Sequence, residues 1–238
     1  MAKQTRLYRY DFRGHQEFPA TASGAGTPWV IADTSAAGAP SFGGLTGGGY
    51  RMAFSNTNEI QNLCLYFGDV LSFDIDEIIS AYFIMKTAAA LDAATQLAFG
   101  LASARNNAID SITEAALFRC IGNNSVVVES DDGTTNHDDI ATGLTLGATW
   151  KRFSINFAER VSTMEPPSLS KGRKSHIGFY GANDHGSARR VASGTRFDMS
   201  EYAGGLQPFL QIQKTADTNT DNLDVLEIGV EVNLPDFA

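Results

Sequence analysis

The sequence predicts an all-β protein, an antiparallel jelly-roll β-sandwich with an extended N-terminal arm. Between residues 99 and 157, short apolar segments alternate with clusters of Asn, Asp, Gly and Thr, and residues 176–200 continue this layout. Short strands separated by such turns are typical of sandwiches. No apolar pattern with a helical period extends beyond about ten residues, which argues against a helical protein. The 23 glycines suit a chain with many tight turns.

The chain of 238 residues is predicted to form one domain preceded by an arm. Residues 1–49 are the N-terminal arm and a Gly-rich lead-in, and residues 50–238 are the jelly-roll sandwich. Residues 7–12 are a possible edge strand, and residues 29–31 are a further strand or anchor. The strand candidates of the sandwich are residues 50–55, 61–67, 80–86, 96–102, 115–121, 125–129, 150–157, 175–180, 189–195, 207–213 and 224–233.

The side-chain pattern within these strands predicts which residues are buried. Residues 152–157 alternate strictly between polar and apolar side chains, as expected of a strand with one buried face. In the last strand Val225 and Ile228 do not share this alternation, so we expect a bulge near Leu226. The predicted core contains Phe99, Leu101, Phe153, Ile155, Phe157, Phe179, Leu210 and Ile212.

Composition excludes several classes of function. The formal net charge of −9 makes duplex nucleic acid a poor partner. No run of 18 apolar residues occurs, so no membrane span is predicted. The charged N-terminus lacks the apolar stretch of a signal peptide, which leads us to expect a protein made in a cytoplasm. In that reducing compartment, Cys64 and Cys120 are expected to be buried free thiols.

The arm concentrates positive charge on an otherwise acidic chain. Four cationic side chains alternate there with apolar and aromatic ones, and a small-residue segment follows. We hypothesise that residues 1–28 contact another chain and add little to their own sandwich; the alternative is a solvated end. The predicted partner-binding residues are Lys3, Arg6, Tyr8, Arg9, Tyr10, Phe12 and Arg13.

Residues 130–139 are rich in oxygen ligands. A Ca²⁺ ion prefers carboxylate and amide oxygens, so these side chains are candidates to bind calcium. An acidic hairpin without metal explains the segment as well, because Asp132-Gly133 is a strong turn signal. The possible calcium ligands are Asp131, Asp132, Asn136, Asp138 and Asp139.

Motifs for catalysis are weak. Asp74 and Asp76 alternate like the paired carboxylates of a glycosidase, but Glu77 has the wrong spacing and no Trp flanks the motif. The four histidines have no metal-ligand spacing, and no Gly-x-Ser-x-Gly elbow occurs. We therefore predict that the protein is not an enzyme. Aromatic side chains that could line a sugar groove are more typical of a core: Trp29, Trp150, Phe179, Tyr180 and Phe209.

The pattern FGLASARN…FR…VESDDGTTNHDDIATG…KRFSINF, followed by HIGFY, RRVASGTRFDMS and LQPFLQIQK, resembles a known group. It is similar to the concanavalin-like, laminin-G-like jelly-roll structural proteins of tailed bacteriophages, of the capsid decoration or cement type. The resemblance covers about residues 50–233.

The resemblance implies a virion structural protein that binds and braces the outer capsid surface. Its expected partners are the major capsid protein and neighbouring copies of itself, with a trimer favoured, and neither nucleic acid nor membrane. Its expected location is the capsid surface of a virion assembled in the host cytoplasm. No cofactor is expected apart from possible calcium. Two alternatives stay open: a carbohydrate- or receptor-binding module of a tail or capsid fibre, and a glycanase-type depolymerase.

Overall fold

The structure, a computed structural model, describes residues 4–13, 27–157, 174–183 and 187–234. Within these ranges it holds sixteen strands and one 3₁₀ turn, and the strands form two antiparallel sheets. The predicted all-β sandwich is therefore confirmed. In the described part of the chain, no helix is long and apolar enough to cross a membrane.

Each sheet has eight strands. The first sheet contains β1 (Thr5–Asp11), β3 (Ser41–Gly44), β4 (Tyr50–Ala53), β7 (Ile78–Thr87), β12 (Lys151–Asn156), β13 (Gly178–Gly181), β14 (Arg189–Val191) and β16 (Asn222–Asn233). The second contains β2 (Val30–Asp33), β5 (Glu59–Tyr66), β6 (Phe73–Asp74), β8 (Thr95–Ala102), β9 (Glu114–Ile121), β10 (Ser125–Asp132), β11 (Asn136–Thr145) and β15 (Gly205–Asp217).

The order of the first sheet is β14-β13-β12-β7-β16-β4-β3, with β1 beside β16, and that of the second is β11-β10-β9-β8-β15-β5-β2, with β6 beside β15. All eleven strand candidates of the predicted sandwich overlap observed strands. The predicted bulge is present, because the register between β16 and β7 shifts between Val225 and Glu227. The sequence did not predict β3 or β11, whose residues are mostly small or polar.

The core lies between the two sheets and is aromatic. All eight predicted core residues are fully buried. Rings from both sheets meet there: Phe99 stacks on Phe118 at 5.3 Å between centroids, and Phe153 meets Phe99 edge-on at 5.1 Å. Cys64 and Cys120 are buried free thiols, as predicted. Burial raises the pKa of the Cys120 thiol to about 12, which keeps it protonated and unreactive.

Residues predicted to form an arm are part of the sandwich. Strand β1 pairs with β16 from Thr5, opposite Asn233, to Asp11, opposite Glu227. Phe12 is 5% exposed, and the Tyr10 ring lies 5.3 Å from that of Trp29. The edge strand predicted at residues 7–12 is confirmed. The expectation that residues 1–28 add little to their own sandwich is wrong for β1, because its aromatic side chains pack into the core. The sandwich also begins before residue 50, since β2 and β3 belong to it.

Candidate functional site

The outer face of the second sheet carries a cavity of about 300 Å³, which we call the groove. Arg119 lies in its floor, because it alternates along β9 with the core residues Phe118 and Cys120 and so faces outward. The β10–β11 hairpin forms one wall, and the connection between β8 and β9 forms the other. The groove is lined by Ile109, Asp110, Ile112, Arg119, Glu129, Asp131, Asn136, Asp138 and Asp139.

The hairpin wall is built by the turn and a bulge. Asp132 Oδ1 accepts the amides of Thr134 and Thr135 at 3.0 and 2.6 Å, and Gly133 supplies the positive φ of 82° that the turn requires. Further along, Val128 faces Ile140 but Ser130 faces His137. Residues 138 and 139 therefore both lie opposite residue 129. This β-bulge brings two carboxylates to one place in the groove.

The other wall is the connection between β8 and β9, which folds back over the sheet. Ile109, in a 3₁₀ turn at Ile109–Ser111, and Ile112 are buried against Leu117 and Phe209. The Asn107 carbonyl accepts hydrogen bonds from the side-chain amides of Asn62 and Gln211. Apolar packing and these hydrogen bonds fix the wall, so the groove is a preformed cavity.

The Arg119 guanidinium joins both walls to the floor. Its Nη1 donates to Glu129 Oε2 at 2.6 Å and lies 3.6 Å from Asp139 Oδ1, and its Nη2 donates to Asp110 Oδ1 at 2.5 Å. The Arg119 side chain is only 3% exposed. Its buried Nε has no hydrogen-bond partner among the described residues. Three carboxylates thus contact one buried cation, five carboxylates in all line the groove, and the groove is negatively charged.

Glu129 is the most perturbed acid of the groove. Burial raises the pKa of its carboxyl to about 7, against the opposing pull of Arg119. The neighbouring negative charges of Asp138 and Asp139 raise it further. Burial likewise raises the pKa of Asp131. The groove therefore gains a proton near neutral pH more readily than separate exposed carboxylates do.

Four of the five predicted calcium ligands line the groove, and the fifth does not. Asp132 is turned away: its Oδ1 closes the hairpin turn and its Oδ2 accepts the Glu201 amide at 3.2 Å. In the described ranges, no group of three His, Cys, Asp or Glu side chains is arranged to hold a metal ion. Calcium takes six to eight oxygen ligands, so calcium binding by these residues stays a prediction.

The predicted partner-binding residues of the arm lie elsewhere, on the first sheet, except Lys3, which is outside the described residues. Arg9 pairs with Glu227 in a two-pronged contact, with both N–O distances 2.9 Å, and Arg13 also contacts that carboxylate. Arg6 stacks on Tyr8 at 4.7 Å from the ring centroid. Tyr8, Tyr10 and Phe12 face the core. Part of this set therefore stabilises its own sheet.

The weaker motifs do not form a second site. Asp74 ends β6 and its Oδ1 accepts the Asp76 amide at 2.9 Å, so the two acids belong to a turn and not to one strand face. Asp76 pairs with Lys174 at 3.0 Å. Of the histidines, His15 and His185 lie outside the described residues, and His137 packs on Phe197. The five aromatic candidates do not line the groove: Trp29 and Phe179 are in the main core, Phe209 is buried under the β8–β9 connection, and Trp150 and Tyr180 lie on the first sheet's side.

Three charged residues of the groove were missed from the sequence: Asp110, Arg119 and Glu129. The alternation Glu129-x-Asp131 puts both acids on one face of a strand, and that was a readable signal. An arginine inside the apolar segment ALFRCI was a second signal, because an arginine is rarely fully buried without a partner. The sequence did not show which face of these strands points away from the core.

No protein-family model matches the chain, and no curated protein matches it. Solved structures do match. A protein of unknown function from Shewanella oneidensis MR-1 aligns with 98% of this chain and 88% of its own, at 11% identity and a TM-score of 0.60. Peanut lectin aligns with 98% of this chain and 99% of its own, at 8% identity and a TM-score of 0.57. The chain has a concanavalin-like, lectin-type jelly-roll fold. The carbohydrate recognition domain of Emp47p aligns over 94% and 93%, at 10% identity and a TM-score of 0.55. At these identities the likeness shows the fold alone.

Proposed function

We propose that the protein is a non-catalytic carbohydrate-binding module and that the groove is its binding site. The observation that carries the proposal is a preformed cavity of about 300 Å³ whose carboxylate and amide oxygens are held around the buried Arg119. That volume is at the lower end of the range for small-molecule sites, which suits one or two sugar units. The lectin-type folds of peanut lectin and of the Emp47p carbohydrate recognition domain support this ligand class.

The chemistry of the lining suits hydroxyl groups. Carboxylates accept hydrogen bonds and cannot donate them when ionised, so they pair with sugar hydroxyls. Asp131, Asn136 and Asp138 supply such acceptors on the hairpin wall. Ile109 and Ile112 supply apolar surface on the opposite wall, against which the C–H groups of a sugar ring can pack. The negative charge of the groove disfavours acidic polysaccharides.

The same lining supports binding over hydrolysis. Glycosidases need one carboxyl group as acid and a second as nucleophile or base, both open to the substrate. Glu129 has the raised pKa of an acid, but its side chain is 8% exposed and its Oε2 accepts from Arg119. A carboxyl group held in this way positions Arg119 and is not open to a substrate. This favours a protein that binds sugar without hydrolysing it.

The test is glycan-array screening of the full chain, followed by calorimetric titration of the best sugar. Asp138→Asn, on the open wall, is expected to weaken binding at least about tenfold, which is 1.4 kcal/mol. Asp33→Asn is the matched control, because it removes the same charge from β2 at the opposite edge of the same sheet. The absence of any sugar ligand, or equal affinities for the two variants, would overturn the proposal.

A second candidate is a virion structural role of the capsid decoration or cement type, which the resemblance of residues 50–233 suggests. One observation favours it: β1 is an exposed, basic edge strand, with Leu7 52% exposed and the Arg9 side chain 50% exposed. In this role the protein binds the major capsid protein and neighbouring copies of itself, as a trimer, on the capsid surface.

This second role is tested by mixing the purified protein with capsids that lack it and measuring co-sedimentation. Saturable binding at a fixed number of copies per capsid is the expected result. A failure to bind any part of a purified virion would exclude it. Because the sugar assay uses the isolated protein, the two candidates fail or succeed separately.

A further inference from the structure

In the described part of the chain, one edge of strand β1 has no neighbouring strand. Among the described residues β1 pairs only with β16, which lies on one side of it. The β3–β4 hairpin closes the end of this edge, because the Gly49 amide donates to the Phe12 carbonyl at 2.9 Å. The open length is therefore β1 itself, and it contains no proline and no bulge that would protect it from another strand.

The hydrogen-bond pattern shows which backbone groups face this edge. The Phe12 amide donates to Leu226, and the Gln4 carbonyl accepts from Leu234. Since alternate residues of an antiparallel strand bond to the same neighbour, the even-numbered residues of β1 bond to β16. The odd-numbered residues direct their amides and carbonyls outward. These four residues are Thr5, Leu7, Arg9 and Asp11.

We propose that β1 pairs antiparallel with β1 of a second copy, about a two-fold axis at Tyr8. In this register every residue of β1 lies opposite a β1 residue of the second copy. The hydrogen bonds between the copies then join only odd-numbered residues, whose amides and carbonyls face outward. Moving the axis to Leu7 leaves Tyr10 and Asp11 without β1 partners. Moving it to Arg9 sets two arginines directly opposite each other, which is unfavourable.

The side chains of β1 are complementary to themselves in this register. Asp11 faces Thr5 of the second copy, so a hydroxyl donates to a carboxylate. Arg6 faces Tyr10 of the second copy, and Arg6 already stacks on an aromatic ring within its own chain. Arg9 faces Leu7 of the second copy, and its charge is balanced by Glu227. A continuous sheet across two copies follows, and it is independent of sugar binding.

The first test measures the self-association of the full chain by sedimentation equilibrium. A concentration-dependent dimer is expected. Leu7→Pro removes an outward amide but no bond to β16, so it should weaken the dimer at least about tenfold. Leu7→Ala keeps the amide and should leave most of the dimer intact. A monomeric wild type, or equal dimerisation of the two variants, would overturn the proposal.

The second test fixes the register by cross-linking. Residues at the axis of a non-hydrogen-bonded antiparallel pair have Cα atoms about 4.5 Å apart, within reach of a disulfide. Tyr8→Cys should therefore give a covalent dimer on mild oxidation. Thr5→Cys should not, because Thr5 faces Asp11 of the second copy. Wild type is the blank, since Cys64 and Cys120 are buried. Equal cross-linking of the two variants would contradict the axis at Tyr8.

Discussion

The outer faces of the two sheets both bury carboxylates, but they balance the charge differently. On the first sheet, the Asp224 side chain is fully buried and accepts two hydrogen bonds from Arg51, at 2.7 and 2.8 Å, with Lys86 3.7 Å away. Glu227 is bound by Arg9 and also accepts the Tyr82 hydroxyl at 2.6 Å. Each buried acid there has at least two partners.

The second sheet has the opposite balance. In the groove Arg119 is the one cation among five carboxylates in the described lining, and an open volume remains between the walls. Several like charges around a partly enclosed cavity cost stability, and carboxyl groups with perturbed pKa values cluster at functional sites. The ion pairs of the first sheet therefore stabilise the fold, and the excess of carboxylates in the groove supports the binding role proposed for it.

The largest expected effect is on the first sheet. Deleting residues 1–13 removes β1, exposes the aromatic surface beneath Tyr8, Tyr10 and Phe12, and takes Arg9 from Glu227. We expect a loss of about 5 kcal/mol in the free energy of unfolding, at 1.5–3 kcal/mol for each buried aromatic side chain. Urea denaturation measures it. An unchanged midpoint would show that β1 is an accessory arm after all.

Arg51→Ala should cost about 2 kcal/mol, because it leaves the buried carboxylate of Asp224 with only Lys86, 3.7 Å away, and a hydrogen bond from the Asn222 amide. The loss is smaller than for a fully buried pair, since the Arg51 side chain is 40% exposed. Arg6→Ala is the control: Arg6 is exposed and stacks on Tyr8, so its removal should change stability by less than about 0.5 kcal/mol. Equal losses of stability in Arg51→Ala and Arg6→Ala would show that a cation bound to a buried carboxylate stabilises the fold no more than an exposed one.

Glu129→Gln tests the charge balance of the groove through pH. Since the folded-state pKa of Glu129, about 7, lies above its ordinary value of 4.5, the folded protein holds this proton more tightly than the unfolded chain. The stabilisation that this proton gives is complete below about pH 4.5 and is lost as pH rises to about 7, a change of about 3 kcal/mol.

Thermal unfolding across that pH range should therefore show the wild type losing stability more steeply than Glu129→Gln. The carboxyls of Asp11 and Glu59 have lowered pKa values and act below this window. Parallel pH profiles for the two proteins would mean that Glu129 stays ionised in the groove and that Arg119 balances it fully.

The smallest expected effect on stability is that of Asp138→Asn. Asp138 is exposed and accepts a hydrogen bond from Asn136 at 3.0 Å, which an asparagine oxygen can still accept. The change relieves repulsion among the groove carboxylates, so stability should stay within about 0.5 kcal/mol or rise slightly. A fall above 1.5 kcal/mol, as for a buried hydrogen-bonded charge, would make this wall structural and weaken the contrast between the faces.

The sequence predicted the sandwich well because strand alternation is a local signal. Phe153 and Ile155 mark a buried face by spacing alone, and the Asp132-Gly133 turn fixes a hairpin without long-range information. Strand β11 was missed because its buried positions are few, and its role depends on pairing with β10.

The groove was predicted only in part. Asp131, Asn136, Asp138 and Asp139 were found because they are close in sequence, and calcium binding by them stays a prediction. Arg119 and Asp110 come from segments whose position over the sheet depends on tertiary packing. The contribution of β1 to its own sandwich was missed for a similar reason: Arg9 is paired with Glu227, which lies 218 residues further along the chain.

The most direct test of the binding role is an NMR titration of the full chain with the sugar selected on the array, followed by mapping of the amide shifts. The binding role predicts shifts at the groove, in residues 109–112 and 129–139, with none around Arg51 and Arg9, and their loss in Asp138→Asn. Shifts centred on the outer face of the first sheet, or undiminished shifts in Asp138→Asn, would contradict it.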